Sequence, residues 1–131
     1  MSKQIRIALI GLGRVGEIFA TQFLEHIQTR HIAATIVAVA DHNTQSAVAL
    51  GFAHSGVAVF GDGLEIVKLG DTVDVIFDLS GNPDFRQRLR TALRDSNNQH
   101  TVIAPTVMAN LLWAFFDEPE NLPETHANTG Y

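Results

Sequence analysis

Three glycines near the start of the chain have the spacing of a loop that holds phosphate groups. They follow the apolar run 5–10 and precede an amphipathic segment. In that setting the first glycine allows a tight turn, the second lets the backbone approach a pyrophosphate, and the third lets the helix lie close to its strand. The helix adds unpaired N–H groups and the positive end of its dipole. The predicted phosphate contacts are Gly11, Gly13, Arg14, Val15 and Gly16.

An acidic residue, Asp41, ends the next apolar run, residues 35–40. A carboxylate at this point accepts hydrogen bonds from the adenosine ribose hydroxyls and repels a 2′-phosphate. His42 follows it and is a candidate for contact with the adenine edge, with a surface position as the simpler interpretation. Together with the glycine loop, Asp41 predicts binding of NAD⁺ or NADH in preference to NADP. A fold without nucleotide, or one that binds S-adenosylmethionine, remains the alternative.

Composition limits the class of protein. The 131 residues are 46% hydrophobic, enough for one core and one domain. The net charge is −5 and no basic stripe is evident, which argues against nucleic-acid binding. No apolar stretch reaches the ~20 residues of a membrane-spanning helix, and cysteine is absent. We therefore expect a cytoplasmic protein without a membrane span, a disulfide or a metal site.

Strand-like and helix-like segments alternate along the chain. The predicted strands are 5–10, 35–40, 57–60, 73–79 and 101–104, and the predicted helices are 14–28, 43–52, 64–69, 83–95 and 107–116. This alternation implies right-handed crossovers and a doubly wound parallel sheet of order 3-2-1-4-5, an α/β Rossmann fold with three layers. Ligands of such sheets bind beyond the carboxyl ends of the strands, where the winding reverses between strands 1 and 4.

A second polar turn falls at that same edge of the predicted sheet. Ser80, Gly81 and Asn82 precede Pro83 and are predicted to contact the nicotinamide side of the cofactor, although an Asn-Pro turn that caps a helix is the alternative. Asp78 lies inside the preceding apolar strand. Because an unpaired buried carboxylate is costly, we expect it to be hydrogen-bonded near the strand end or to belong to the crevice.

In their order and spacing these motifs resemble the NAD(P)-binding N-terminal domain of the glucose–fructose oxidoreductase/inositol dehydrogenase family, and the related domains of homoserine dehydrogenase and dihydrodipicolinate reductase. The resemblance spans about residues 5–107 and rests on segments 5–16, 37–41, 57–62 and 73–83. It implies a nicotinamide dinucleotide cofactor and a relationship to oxidoreductases.

The chain departs from that family where the family does its chemistry. Members have a lysine in a Glu-Lys-Pro turn after the fifth strand, and Thr106 or its neighbour Pro105 stands at that place here. Threonine has no ammonium group and cannot act as a base near neutral pH. The residues after 104 are also too few for the family's second domain. The resemblance therefore implies the cofactor-binding half alone, and we predict no catalytic residue; His100 is expected at the surface.

Two helices suggest contacts beyond the cofactor. In the helix near residues 83–95, the apolar face is predicted to turn inward and comprises Phe85, Leu89 and Leu93. Another face carries Arg86, Arg90 and Arg94, which we expect to be solvated, with an anionic partner or the chain's own acidic end as the alternative. Residues 107–116 are apolar nearly all round and must be buried. We predict a homodimer through this helix, or a larger protein partner, with packing inside one monomer as the alternative.

The sequence predicts a domain over residues 1–116 and an acidic, disordered tail over residues 117–131. Three functions remain open. The favoured one is a stand-alone NAD(H)-binding module that senses or carries nucleotide state. The others are an NAD-dependent oxidoreductase completed by a dimer mate or another chain, and an interaction domain without a ligand.

Overall fold

The structure is a computed structural model that describes residues 4–116, except for the side chain of Arg14. The strands are β1 (Ile5–Ile10), β2 (Ala34–Ala40), β3 (Ala58–Phe60), β4 (Val75–Asp78) and β5 (Val102–Ala104). The helices are α1 (Arg14–Thr29), α2 (Ala47–His54), α3 (Pro83–Asp95) and α4 (Thr106–Phe116), and a 3-10 segment covers Gly63–Thr72.

The five strands form one parallel sheet in the order β3-β2-β1-β4-β5. This confirms the predicted doubly wound α/β architecture. Because β1 pairs with β2 on one side and with β4 on the other, the winding reverses between β1 and β4. The carboxyl ends of these strands bring the glycine loop and the turn after β4 to the same edge of the sheet.

Two apolar clusters fill the spaces on the two faces of the sheet. On one face α1, α2 and α4 cover a cluster that includes a group of four phenylalanine rings with adjacent centroids 5.1–6.0 Å apart, Phe19, Phe23, Phe77 and Phe116. On the other face, a second cluster lies between the sheet and the 3-10 segment and α3. Ile66 of the 3-10 segment, Val73 after it and Leu89 of α3 belong to this cluster. The predicted three-layer arrangement is therefore present.

Side-chain caps determine where the helices after β2 and β4 begin. Ser46 Oγ accepts the Ala49 N–H (3.1 Å), so α2 starts later than the predicted helix 43–52, and Asn43 instead accepts the Gln45 N–H in a separate turn. Asn82 Oδ1 accepts the Phe85 N–H (3.1 Å) at the start of α3, as the Asn-Pro pattern predicts.

The segment predicted as a short helix over residues 64–69 is a longer 3-10 segment. Asp62 Oδ1 accepts the Leu64 N–H (3.0 Å) at its start. Gly70, with a φ of 61°, interrupts its helical geometry. The predicted strand 73–79 is correspondingly shorter, because Val73 and Asp74 still belong to the connection into β4.

Asp74 joins three strands at the amino-terminal edge of the sheet. It accepts the backbone N–H of Arg6 (2.7 Å) and the Arg6 guanidinium (3.0 Å), and it contacts His100 Nε2. The hydrogen bonds from the Arg6 side chain and backbone, together with the one from His100, hold the pKa of Asp74 well below its usual range. His100 lies exposed at this edge, as predicted, and opposite to the glycine loop.

Helix α4 is only half buried in the single chain. It covers the sheet with Ala109 and Phe116, but leaves four large apolar side chains exposed, Val107, Met108, Leu111 and Phe115. Packing inside one monomer, the alternative to the predicted homodimer, therefore leaves part of the apolar surface of this helix exposed within residues 4–116. Within residues 4–116, no helix combines the length and the apolar character that crossing a bilayer requires. The predicted tail, residues 117–131, lies outside the described part of the chain.

Candidate functional site

The carboxyl ends of the central strands surround a crevice of about 670 Å³. Such a volume lies within the range of small-molecule and cofactor sites. The predicted site residues that line it are Gly11, Gly13, Val15, Gly16, Asp41, His42, Ser80 and Asn82. Gly81 lies between two of these residues without lining the crevice itself, and Arg14 is the first residue of α1. The two separately predicted segments thus meet in one place.

The first and third glycines of the loop make close packing possible. Gly11 has a φ of +88°, and a Cβ atom there would lie 2.9 Å from the backbone nitrogen of Ser80. At Gly16 a Cβ atom would lie 1.7 Å from the carbonyl oxygen of Gly11. The turn between β1 and α1 therefore has no room for a side chain at either position, as the sequence pattern predicts.

Gly13 differs from its neighbours because the space beside it is open. Apart from the two neighbouring residues in the chain, a Cβ atom at this position would meet no atom of the described chain within 4 Å. Gly13 is the N-cap residue of α1 in an extended conformation, and no side chain within residues 4–116 caps this helix. The first turn of α1 therefore presents N–H groups to the crevice, which is the arrangement that binds a phosphate or a carboxylate.

Asp41 fixes the relative positions of the tips of three strands. Its Oδ1 accepts the Leu12 N–H (3.0 Å), and its Oδ2 accepts the Asn43 N–H (3.1 Å). Its own N–H donates to the carbonyl oxygen of Phe60 in β3 (3.0 Å). Each carboxylate oxygen keeps further acceptor capacity, because an ionised carboxylate offers about four lone-pair positions. Asp41 can therefore hold the glycine loop and still accept hydrogen bonds from a ligand hydroxyl.

A buried ion pair supports the turn after β4. Asp78 is fully buried at the end of β4, and its Oδ2 lies 3.3 Å from the Nε of Arg86, which is 3% exposed. Its Oδ1 accepts both the backbone N–H and the hydroxyl of Ser80 (3.1 and 2.6 Å). Asp78 is therefore hydrogen-bonded at the strand end, one of the two predicted alternatives. The prediction of a solvated face is wrong for Arg86, because this carboxylate draws it into the core.

Eight residues that line the crevice were not among the predicted site residues: Ile10, Ala40, Gly61, Asp62, Gly63, Leu79, Phe85 and Arg88. A Cβ atom on Gly63 would lie 2.6 Å from the Phe85 ring, so this glycine makes room for the first turn of α3. The Arg88 guanidinium carbon lies 5.8 Å from the centre of that ring. The glycines that flank Asp62 directly after a strand were a usable signal, whereas the approach of α3 to this loop is a tertiary contact.

Charges are unevenly spread in the crevice. Asp41 and Asp62 supply carboxylates, and Arg88 supplies a guanidinium. At the end near Ser80 and Asn82, the described lining side chains carry no base. Thr106, one of the two residues predicted to stand in place of the lysine of the resembling family, is buried, and its hydroxyl donates to the Asp78 carbonyl oxygen (3.4 Å). This geometry can hold a polar ligand.

No protein-family profile matches the sequence, and no curated protein is significantly similar to it. Among solved structures, homoserine dehydrogenase from S. aureus superimposes with a TM-score of 0.58 at 18% identity, over 88% of this chain and 30% of that one. The WlbA dehydrogenase from Chromobacterium violaceum, solved with NADH and UDP-GlcNAcA, gives 0.47 at 13% identity, over 79% and 36% of the two chains. An NAD-binding oxidoreductase from Klebsiella pneumoniae gives 0.41 at 21%, over 89% and 40%.

The likeness to homoserine dehydrogenase concerns the fold. The chain spans about a third of the length of that enzyme, and the aligned part covers most of the sheet and helices described above. The resemblance predicted from the sequence is therefore confirmed at the level of architecture. The chain has a Rossmann-like domain whose crevice lies at the carboxyl edge of the sheet.

Proposed function

We propose that this chain binds NAD⁺ or NADH in the crevice and acts as a module that responds to nucleotide state. The observation that carries the proposal is the pairing of two features at one loop. The uncapped amino terminus of α1 opens beside Gly13, and the Asp41 carboxylate lies against the same loop through the Leu12 N–H. A pyrophosphate suits the first feature and a ribose suits the second.

The adenosine half of the ligand fits the end of the crevice near β2 and β3. Asp41 would accept hydrogen bonds from the ribose hydroxyls, and its negative charge would oppose a 2′-phosphate. This supports a preference for NAD over NADP. His42 and the loop that contains Asp62 line the same end and would surround the base.

The nicotinamide half would lie toward Ser80 and Asn82. Ser80 Oγ accepts the Asn82 N–H (3.3 Å) and donates to the buried Asp78, so this turn is held in one conformation. Because the described residues at this end include no proton-transfer group, we favour binding over turnover. A sensor of this kind requires different affinities for NAD⁺ and NADH and a change in conformation or assembly.

The exposed face of α4 supports a second element of the proposal, a homodimer. The exposed side chains lie on one side of the helix, and α4 contains no charged residue. Two copies could therefore bring these surfaces together without placing charges of the same sign against each other in the contact. Away from this helix, each chain carries a net charge of −5. Thr106, the first residue of α4, contacts the Asp78 carbonyl oxygen at the end of β4, so a mate bound to α4 could add groups at this edge of the sheet. This is the specific reason to keep an oxidoreductase completed by a partner as the second candidate.

Calorimetric titration with NAD⁺, NADH and NADP⁺ tests the proposal. The variant Asp41→Asn keeps an acceptor for the Leu12 N–H but removes the charge. We expect it to weaken NAD⁺ binding about tenfold and to reduce the preference over NADP⁺, because a hydrogen bond to a charged group contributes ~1.5–3 kcal/mol. Asp95→Asn, on the exposed end of α3, is the matched control. Equal affinity of all variants for all three nucleotides would contradict the proposed position of the ribose.

A further inference from the structure

A second groove lies away from the crevice, between the end of α3 and β5. It has a volume of about 490 Å³. Its cationic and apolar walls are Arg90, Arg94, Leu93, Val102 and Ile103. Both arginines are exposed and lie one helical turn apart, so their guanidinium groups can reach the same bound segment. We call this feature the arginine groove.

The groove runs beside a strand edge that no other described strand covers. Within residues 4–116, β5 pairs with β4 alone, and it ends the order β3-β2-β1-β4-β5. Val102 is 56% exposed on this strand. An open edge offers backbone N–H and C=O groups to an extended segment, and neighbouring side chains then select which segment binds.

The charge of the groove opposes the charge of the whole chain. The chain carries 14 acidic and 9 basic residues, so two exposed arginines beside an open strand edge form a local exception. Residues 117–131 have the complementary composition, with no lysine or arginine and with four acidic residues, Asp117, Glu118, Glu120 and Glu124. Leu122 in the same segment could rest on the apolar wall of the groove.

We propose that the carboxyl-terminal segment of this chain, residues 117–131, docks in the arginine groove along the free edge of β5. Its carboxylates would pair with Arg90 and Arg94, and its backbone would face the edge of the strand. Two prolines, Pro119 and Pro123, are tolerated in an edge segment because its outer N–H groups need no partner strand.

The path of the chain leads to the groove. Helix α4 follows β5 and returns across one face of the sheet, and the ring of Phe116 stacks on that of His26 near the end of α1. Since α1 starts at the carboxyl edge of the sheet, its end lies at the amino-terminal edge, where Asn97 and Thr101 also line the groove. Fifteen extended residues reach up to about 50 Å, ample for a domain of this size.

A nitroxide on the segment tests the proposal in the full chain. Because the chain contains no cysteine, Thr125→Cys provides a single attachment site. We expect the amide NMR signals of Arg94, Asn97 and Val102 to lose intensity through the unpaired electron. The loss should diminish as salt is raised toward ~1 M, where the screening length falls to about 3 Å.

Charge reversal provides the decisive comparison. Arg90→Glu with Arg94→Glu should remove the signal loss, whereas Arg30→Glu, an equally exposed change at the end of α1, should preserve it. Neutralising the four carboxylates of the segment should also remove the signal loss. This change alters no residue of the folded domain. The proposal is overturned if the groove signals keep their intensity in the labelled wild type, or if the reversed arginines leave the loss unchanged.

A mixture separates the segment of the same chain from that of a second copy. Isotope-labelled chain without nitroxide is mixed with nitroxide-labelled chain of natural isotope content. The proposal predicts full intensity of the groove signals of Arg94, Asn97 and Val102 in this mixture. Signal loss at the groove there would mean that the segment of a second copy binds, which contradicts docking within one chain. Neither result depends on nucleotide binding, so failure here is distinguishable from failure of the proposed function.

Discussion

Gly16 and Gly51 are both helical glycines, but their surroundings differ. A Cβ atom on Gly16 would lie 1.7 Å from the Gly11 carbonyl oxygen, whereas one on Gly51 would meet no atom of the described chain outside its own helix within 4 Å. Gly16→Ala should therefore lower the free energy of unfolding by about 3 kcal/mol or more, because the loop and helix must separate. Gly51→Ala should raise it by ~0.5–1 kcal/mol through helix propensity.

Urea denaturation of the two variants measures this difference. The same chemical change is expected to act in opposite directions at the two positions. If Gly16→Ala were as stable as the wild type, α1 could not approach β1 as closely as described, and the proposed phosphate loop would lose its geometric basis.

At the residue scale, local spacing predicted more than residue type did. Gly11, Gly16 and Asp41 were predictable because one strand–helix–strand unit, β1-α1-β2, sets their positions. Arg86 was not, because its burial depends on Asp78, which comes from the preceding strand and is itself buried. Helical periodicity placed Arg86 on a face with other arginines, and only the tertiary contact distinguishes it from them.

At the scale of elements, the exposed apolar side chains of α4 lead to the most specific prediction about oligomeric state. If its exposed stripe forms a homodimer, replacing apolar side chains by charged ones should abolish it. We expect Leu111→Glu with Phe115→Glu to yield monomers, since burying two carboxylates in an apolar contact is unfavourable. Asn110→Glu changes an exposed residue of α4 outside the stripe and should leave association intact.

Sedimentation measurements over a range of protein concentrations distinguish these cases. A wild type that remains monomeric at all concentrations would contradict the dimer. So would a doubly substituted chain that associates as strongly as the wild type.

The type and order of the elements followed from periodicity, but their limits did not. Helix α2 begins after Ser46 instead of Asn43, because the serine hydroxyl reaches an N–H group of the first turn while the asparagine closes a separate turn. Both residues are good caps by type, and the choice between them depends on the backbone path after β2. The length of the 3-10 segment was likewise underestimated, because the non-helical conformation of Gly70 interrupts its periodicity.

At the scale of the whole molecule, Asp74 links the stability of the fold to pH. Its folded-state pKa is depressed, chiefly by the hydrogen bonds from Arg6 and with a further one from His100. In the unfolded chain this carboxyl takes up its proton near pH ~4. Below that pH the unfolded state binds more protons than the folded state, so the stabilisation is present at neutral pH and is lost as the pH falls.

Asp74→Asn should therefore lower stability at pH 7 and weaken the dependence of stability on pH below about 4. Urea denaturation at several pH values from 7 to 3 measures this. Asp95→Asn removes an exposed carboxyl and should retain the acid dependence of the wild type. Identical acid dependence in Asp74→Asn and the wild type would show that the ion pair is not coupled to folding.

The sequence predicted the arrangement at the carboxyl edge of the sheet but not the contacts at the amino-terminal edge. Strand order and the position of the crevice followed from the alternation of strands and helices. The connection from Arg6 through Asp74 to His100 joins residues far apart in the chain, and neither their types nor their spacing indicates it. The arginine groove depends in the same way on the approach of α3 to β5.

Titration of NADH, followed by its fluorescence, tests most directly whether the glycine loop holds a dinucleotide. Gly13→Val would place a side chain in the open space beside the amino terminus of α1, and its φ of −71° permits the substitution. Gly51→Val is the matched control, and thermal denaturation would verify that both variants fold. We expect the wild type and Gly51→Val to bind NADH alike, and Gly13→Val to bind at least about tenfold more weakly, a loss of ~1.4 kcal/mol. Equal binding by folded Gly13→Val, or no binding by the wild type, would contradict the proposed site.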